Sequence, residues 1–182
     1  MSKNITISDS KEGYTLDIDF DVQNDIWDNK FEELTDLTIK ISKEVLRKAG
    51  LNKHIKNAEI SVMLADNQAI QKLNLQYRGK DKATNILSFP AQDITLKQSD
   101  KLNFPNGFVM LGDIIFAYKI VEDEAQMQGK DFNNHFAHLL VHGILHLLGY
   151  DHQSDQEAME MENIEVEILS TFNIKSPYET VN

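Results

Sequence analysis

The stretch HFAHLLVHGILHLLGYDH, residues 135–152, holds five of the six histidines of the chain. Four of them lie on a helix predicted over residues 131–148: His135, His138, His142 and His146. At about 100° per residue, these four imidazoles share one side of the helix, while apolar residues cover the rest. A lone histidine on such a helix is usually a packed residue, whereas a stripe of four indicates a site.

Two of these histidines are spaced to bind one metal ion. His142 and His146 are four residues apart, so their rings lie one turn apart on one face, a pairing that can bind zinc at about 2.0–2.1 Å. Gly149 can end the helix in a left-handed conformation, and His152 then offers a third ligand. Three imidazoles leave one tetrahedral position for water, which is typical of catalytic zinc. We therefore predict one Zn²⁺ per chain, although imidazoles also suit nickel or copper.

The spacing H-x3-H-x2-G-x2-H is that of the metzincin peptidases with one residue deleted. Metzincins place a glutamate directly after the first histidine as the general base. Here that position is Gly143, which cannot carry a proton. A metzincin-like zinc peptidase would need a base from elsewhere, with Glu122 and Glu157 as candidates, so the pattern counts against this alternative.

Composition restricts the class of protein. The 182 residues are 41% hydrophobic and 26% charged, which suits one globular domain over residues 1–182. Cysteine is absent, which excludes disulfides, thiolate zinc sites and a cysteine nucleophile. No apolar run approaches the roughly 20 residues of a membrane span, and the N-terminus has no signal-peptide core. We expect a cytoplasmic protein with no membrane partner.

Hydrophobic periodicity predicts a mixture of strands and helices. Strands are predicted over residues 3–8, 14–21, 57–64, 85–89 and 108–116. Helices are predicted over residues 28–49, 66–78, 117–128, 131–148 and 154–170, with a loop over residues 91–106 and a tail over residues 171–182. This order favours an α+β fold, a small mixed β-sheet packed with about five helices, with a zincin-like three-histidine site on a central helix.

The charge of the chain is strongly uneven. A net charge of −11 makes the whole chain a poor general nucleic-acid binder. Residues 40–82, however, carry ten basic and four acidic side chains. The lysines of residues 40–48 fit a solvated helix face equally well. The run RGKDK, from Arg78 to Lys82, lies in a predicted loop and is the better candidate for a phosphate-facing patch.

Three blocks of the sequence together resemble the YbeY-type rRNA maturation factors. HLLVHGILHLLGYDH (residues 138–152) closely resembles the signature of that family, LNLQYRGKDKATNILSFP (residues 73–90) its second block, and LGDI (residues 111–114) its third. Two positions depart from the family pattern, since Ala83 stands where proline is usual and Asn85 where aspartate is usual. Against the family, residues 1–15 look like an N-terminal extension.

The resemblance implies a metal-dependent endoribonuclease that cuts single-stranded RNA. Such a protein would act in 3′-end maturation of small-subunit (16S) rRNA and in ribosome quality control, with the small ribosomal subunit or assembly proteins as partners. By position, the resemblance assigns the metal to His142, His146 and His152. It also makes Arg78 the functionally important arginine.

Roles for the remaining polar residues follow as hypotheses. Arg78 is predicted to be catalytic and to bind substrate, holding a phosphate with its planar guanidinium, while Lys80 and Lys82 bind the neighbouring RNA backbone. Asp151 either orients a ligand histidine, which we prefer, or relays a proton. For His138 three roles stay open: substrate contact, acid–base catalysis, or a hydrogen bond in the core.

Other residues near these motifs can be interpreted as structural or as functional. Tyr77 or Tyr150 could stack a base, although helix packing suits Tyr77 better. Asp113, inside an apolar strand, is expected to bind a backbone or imidazole partner. A third function also fits the sequence, namely a non-catalytic ribosome-assembly factor whose metal is structural and whose acidic surface binds basic ribosomal proteins.

Overall fold

The structure is a computed structural model that describes residues 3–10, 13–94 and 104–178. Its strands are β1 (Lys3–Asp9), β2 (Thr15–Val22), β3 (Asn57–Ala65), β4 (Ile86–Pro90) and β5 (Phe108–Ala117). Its α-helices are α1 (Phe31–Lys48), α2 (Asn67–Arg78), α3 (Tyr118–Met127), α4 (Phe132–Leu147) and α5 (Asp155–Thr171). Short 3-10 turns lie at Asp25–Lys30, Leu51–Lys53 and Pro105–Gly107. Each of the five predicted strands and five predicted helices is therefore present.

The five strands form one mixed sheet in the order β1-β2-β3-β5-β4. Strands β2, β3 and β5 run parallel, whereas β1 is antiparallel to β2 and β4 is antiparallel to β5. Parallel neighbours need a crossover, and α1 supplies it between β2 and β3. The predicted α+β class with a small mixed sheet is confirmed.

Alternation along β2 places apolar side chains on one face of the sheet and aspartates on the other. In β2, every second residue is buried, including Leu16, Ile18 and Phe20, while the residues between them are aspartates. The apolar face is covered by helices, and α4 packs against α1, α3, α5, β4 and β5. Helix α4 is thus the central helix. Its stripe of histidines is not part of the apolar packing.

Helix boundaries follow local capping chemistry. The Asp131 side chain accepts hydrogen bonds from the first turn of α4, and Ser154 and Glu157 form a capping box at the start of α5. The helix predicted over residues 28–49 is instead divided into a 3-10 turn and α1. Asn24 caps that turn, which places Trp27 in the core.

Several predicted segments extend past the described residues. Positions 95–103 of the predicted loop, 179–182 of the predicted tail, and 1, 2, 11 and 12 of the predicted extension lie outside them. Among the helices that the structure describes, none has the length and apolar character needed to cross a membrane.

Candidate metal centre

Three histidines meet at the C-terminal end of α4. His142 and His146 project from consecutive turns of the helix, and His152 comes from the segment that follows it. One ring nitrogen of each lies within 4.8 Å of the others. The Nε2 atoms of His142 and His146 are 3.0 Å apart. The predicted grouping of these three side chains is therefore present in the structure.

The hydrogen bonds of two rings fix which nitrogen is free. His142 donates from Nδ1 to the Glu165 carboxylate at 2.8 Å, and His146 donates from Nδ1 to the Tyr150 carbonyl at 2.9 Å. Both partners can only accept, so each neutral ring keeps its proton on Nδ1 and leaves Nε2 bare. Two bare nitrogens 3.0 Å apart repel each other unless a cation is bound between them.

This donor set fits a zinc ion. Two nitrogens bound to one tetrahedral zinc would lie about 3.3 Å apart. The separation of 3.0 Å between the two Nε2 atoms is close to that distance. Burial, and then the neighbouring His142, also lower the pKa of His146, which keeps this ring neutral and able to bind a metal.

The turn after α4 brings the third histidine back to the helix. Gly149 adopts a φ of +84°, and the Tyr150 N–H then donates to the Leu145 carbonyl at 3.0 Å. Asp151 accepts a hydrogen bond from the backbone N–H of His152 at 2.8 Å. The same turn therefore supplies the carbonyl that holds His146 and presents the ring of His152.

A groove of about 530 Å³ lies between these histidines and the edge strand β4. Arg78, at the end of α2, lines the same groove. One Nη atom of Arg78 donates to the Ser88 carbonyl at 3.2 Å, and its guanidinium lies 5.7 Å from the centre of the Phe89 ring. The groove thus combines the three imidazoles with one anchored guanidinium.

Comparison with known proteins gives the family. The family model described as Endoribonuclease YbeY matches residues 21–173. The chain belongs to the YbeY endoribonuclease family. A curated relative, Endoribonuclease YbeY of Bartonella quintana (strain Toulouse), is 42% identical over 163 residues, which cover 90% of this chain and 97% of the relative. The resemblance found in the three sequence blocks is confirmed.

A solved structure is also similar to the chain. It is a solution structure of a protein from Thermotoga maritima, which matches with a TM-score of 0.49 and 23% sequence identity. The match covers 80% of this chain and 93% of that protein.

The basic residues of the YbeY second block separate into two groups. Arg78 lines the groove. Lys80 and Lys82 are exposed on the segment that follows α2 and are not among the residues that line it. Tyr77 is also directed elsewhere, since it packs on Phe89 at a ring distance of 5.2 Å on the other face of the sheet. Arg78 is therefore the basic residue of this block that lines the groove with the histidines.

The four histidines of the α4 stripe belong to two clusters. His135 donates from Nε2 to Glu124 at 2.8 Å, and Asn85 donates to the same carboxylate at 3.0 Å. This contact explains why an amide suits a position where the YbeY family usually has aspartate, since two carboxylates would repel there. His138 instead lies 3.1 Å from Glu165, one turn before His142.

Glu165 is the residue near the centre that sequence reasoning missed. It is fully buried in α5 and accepts hydrogen bonds from His142, His138 and the Tyr178 hydroxyl. Burial raises the pKa of Glu165, but these three donors outweigh it and bring the pKa down to about 2. The sequence signal that could have identified it is its helical spacing from Met161 and Ile168. This spacing places the carboxylate on the buried stripe of α5.

Of two further residues, Asp113 differs from its expectation and Tyr150 does not. Asp113 is exposed and lines a different groove from that of the histidines. Tyr150 is half-buried and lines the histidine groove beside Asp151. Of the backbone and imidazole partners expected for Asp113, the imidazole is therefore wrong, because the strand turns this side chain away from the histidine groove.

The structure gives the peptidase alternative no base in its required place. A Cβ at Gly143 would lie 2.8 Å from Ile86 Cδ1 and 3.0 Å from Ser88 Oγ, so β4 occupies the space that a glutamate would need. Glu122 pairs with Lys119, and Glu157 caps α5. Neither of these glutamates is among the described residues that line the groove.

Proposed function

We propose that the chain is a metal-dependent endoribonuclease that cuts single-stranded RNA. It acts in 3′-end maturation of small-subunit (16S) rRNA and in ribosome quality control, in the cytoplasm, with the small ribosomal subunit or assembly proteins as partners. Membership of the YbeY family supports the RNA substrate. The observation that supports the metal dependence is the pair of Nε2 atoms 3.0 Å apart, with His152 beside them.

The metal ligands of this proposal are His142, His146 and His152, and the metal is one Zn²⁺. When bound, zinc supplies a Lewis acid that stabilises negative charge on a phosphoryl oxygen. Hydrogen bonds to Glu165 and Tyr150 place the Nδ1 proton of two neutral imidazoles away from the metal position, so their Nε2 atoms are the ligand atoms. Asp151 assists by accepting from the backbone of His152 and so fixing the third ligand in the turn.

Arg78 is the proposed phosphate-binding residue of the groove. Negative charge builds on the phosphoryl oxygens of RNA whether the attacking group is the 2′-hydroxyl or a water. One N–H of Arg78 is bound to the Ser88 carbonyl, which anchors the guanidinium in the groove that the histidines also line. Its remaining donors are available for two phosphate oxygens in a bidentate contact, which a lysine cannot make.

The RNA backbone outside the groove is assigned to Lys80 and Lys82. Both are exposed and follow Arg78 directly, so they can contact phosphates on one side of the bound nucleotide. Tyr150 lines the groove and offers a ring for base stacking. His138 acts from behind the ligand through Glu165, a position that favours hydrogen bonding over substrate contact among its three roles.

Residues 1–182 form one domain under this proposal, with an extension at residues 1–15 and a tail at residues 171–182. The matched family region, residues 21–173, contains the three histidines and Arg78. The parts outside it hold none of the proposed metal ligands and not Arg78.

The proposal is tested by cleavage of a single-stranded rRNA that carries a precursor 3′ end. Zinc-loaded protein should cut it, and the double variant His142→Ala/His146→Ala should not. Arg78→Ala should retain zinc and cut roughly 10²-fold more slowly, as expected for loss of one donor to developing charge. Arg47→Ala is the matched control, because Arg47 pairs with Glu44 on α1, and it should cut at the native rate.

The two rival functions predict different results in the same experiment. A zinc peptidase would cleave casein in a chelator-sensitive way and leave the RNA intact. An assembly factor with a structural metal would bind zinc and lose its fold when His142 is replaced, without cutting RNA. Equal RNA cleavage by the native protein and the double variant would contradict the nuclease proposal.

A further inference from the structure

Glu165 is a buried carboxylate that contacts a metal ligand from outside the ligand set. Its Oε1 accepts from His142 Nδ1 at 2.8 Å, and its Oε2 accepts from His138 Nε2 at 3.1 Å and from the Tyr178 hydroxyl. The residue has no exposed surface. All three donors are directed at it, and they come from α4 and from the segment after α5.

A role in packing alone does not explain this carboxylate. Burying a carboxylate is unfavourable, and an apolar residue of similar size often serves equally well or better in such a place. Met161, Ile168 and Leu169 fill the same stripe of α5 with apolar side chains. A charged group at this single position therefore has another use.

The contact with His142 sets the tautomer of that ring. A free neutral histidine can carry its proton on either nitrogen, and the nitrogen that holds the proton cannot bind a metal. The Glu165 carboxylate can only accept, so it holds the proton on Nδ1 and leaves Nε2 toward His146 and His152. The Tyr150 carbonyl does the same for His146, so two of the three ligands are oriented in advance.

We propose that Glu165 is a positioning residue of the metal centre, which holds His142 in its metal-binding tautomer and is itself held by Tyr178 from the C-terminal segment. A cavity of about 260 Å³ is lined by His142, His152, Glu165 and Tyr178, so the C-terminal segment borders the same space as two of the ligands. This inference rests on the proposed metal centre and assigns a residue outside the ligand set to it.

The test compares zinc affinity with stability in matched variants. Glu165→Met keeps the length of the side chain and removes the acceptor. It should bind zinc 10–100-fold more weakly, the usual effect of losing such a partner. The metal-free chain should also melt lower, because three buried donors lose their acceptor, so zinc affinity is compared only on the folded proteins. Glu165→Gln retains one accepting oxygen and should lose less affinity than Glu165→Met.

Glu167→Gln is the matched control for a charge lost from α5. Glu167 is two residues away, exposed, and paired with Lys48 on α1. Zinc affinity is measured for each metal-free protein by competition with a chelator of known affinity. Glu167→Gln should bind zinc within about twofold of the native protein, since its ion pair is exposed.

Nitrogen-15 NMR of the metal-free protein gives a readout that a packing role would not change. His142 should carry its proton on Nδ1 in the native chain and shift to Nε2 in Glu165→Met. The proposal is overturned if native His142 carries the proton on Nε2, if Glu165→Met keeps native zinc affinity, or if Glu167→Gln loses as much. A native chain that binds no zinc would overturn the metal centre as well, whereas equal affinities would overturn this proposal alone.

Discussion

Replacing Gly149 by alanine tests whether the turn after α4 supports the metal centre. Gly149 has a φ of +84°, and a Cβ there would lie 2.5 Å from the carbonyl oxygen of Ile94. A left-handed conformation costs a residue other than glycine about 1–2 kcal/mol. The contact with a backbone oxygen adds about 1–3 kcal/mol of overpacking, because that oxygen is not the end of a flexible side chain.

Gly129→Ala is the matched control for backbone strain. Gly129 follows α3 with a φ of +62°, and a Cβ there would meet nothing within 4 Å. It should therefore show the conformational cost without the overpacking. At about 2–4 °C per kcal/mol for a chain of this size, Gly149→Ala should melt roughly 2–12 °C lower than Gly129→Ala.

The substitution Gly149→Ala should also weaken zinc binding. Displacing the turn moves the Tyr150 carbonyl that accepts from His146 Nδ1. Thermal melts of the metal-free chains and zinc competition on the folded ones measure the two effects. Equal melting temperatures and equal affinities for the two alanine variants would refute the close packing of this turn against Ile94.

Three further predictions concern the metal, the amide of Asn85 and the buried His135. Removing zinc with a chelator should lower the melting temperature by roughly 5–11 °C, since metal at 100 times its Kd contributes about 2.7 kcal/mol, and adding zinc should restore it. Asn85→Asp should destabilise the chain at pH 7 by about 1–3 kcal/mol in urea unfolding, because a donor to Glu124 becomes a second carboxylate; adding Glu124→Gln should recover most of this loss. Burial lowers the pKa of His135 from its ordinary value of 6.5, against the opposing hydrogen bond to Glu124. Below pH 6.5 the unfolded chain therefore binds more protons than the folded one, so the free energy of unfolding should decrease as the pH is lowered. The variant His135→Gln should show a weaker dependence on pH in this range.

Much of the fold could be predicted because its signals are local. The alternation in β2 and the capping residues Asp131 and Ser154 each act within a few positions of the chain, so they are readable before any contact is known. The spacing of His142 and His146 is equally local, because one helical turn places both rings on one face.

The partners of those histidines could not be predicted in the same way. The spacing of the four histidines showed that they share one side of α4. It did not show that His135 is hydrogen-bonded to Glu124 on α3 and His138 to Glu165 on α5. Both contacts depend on how three helices pack together. Glu165 also lies in a helix rich in exposed acids, so its charge concealed that its position belongs to the buried stripe.

The central claim is that one zinc ion per chain makes this protein cut RNA. The most direct measurement titrates zinc into the metal-free chain and follows, in the same samples, bound zinc and cleavage of a single-stranded precursor rRNA. Cleavage should be absent without metal, rise with occupancy and reach its maximum at one zinc per chain. Full cleavage by the metal-free chain, or none by the chain with one zinc bound, would contradict this account.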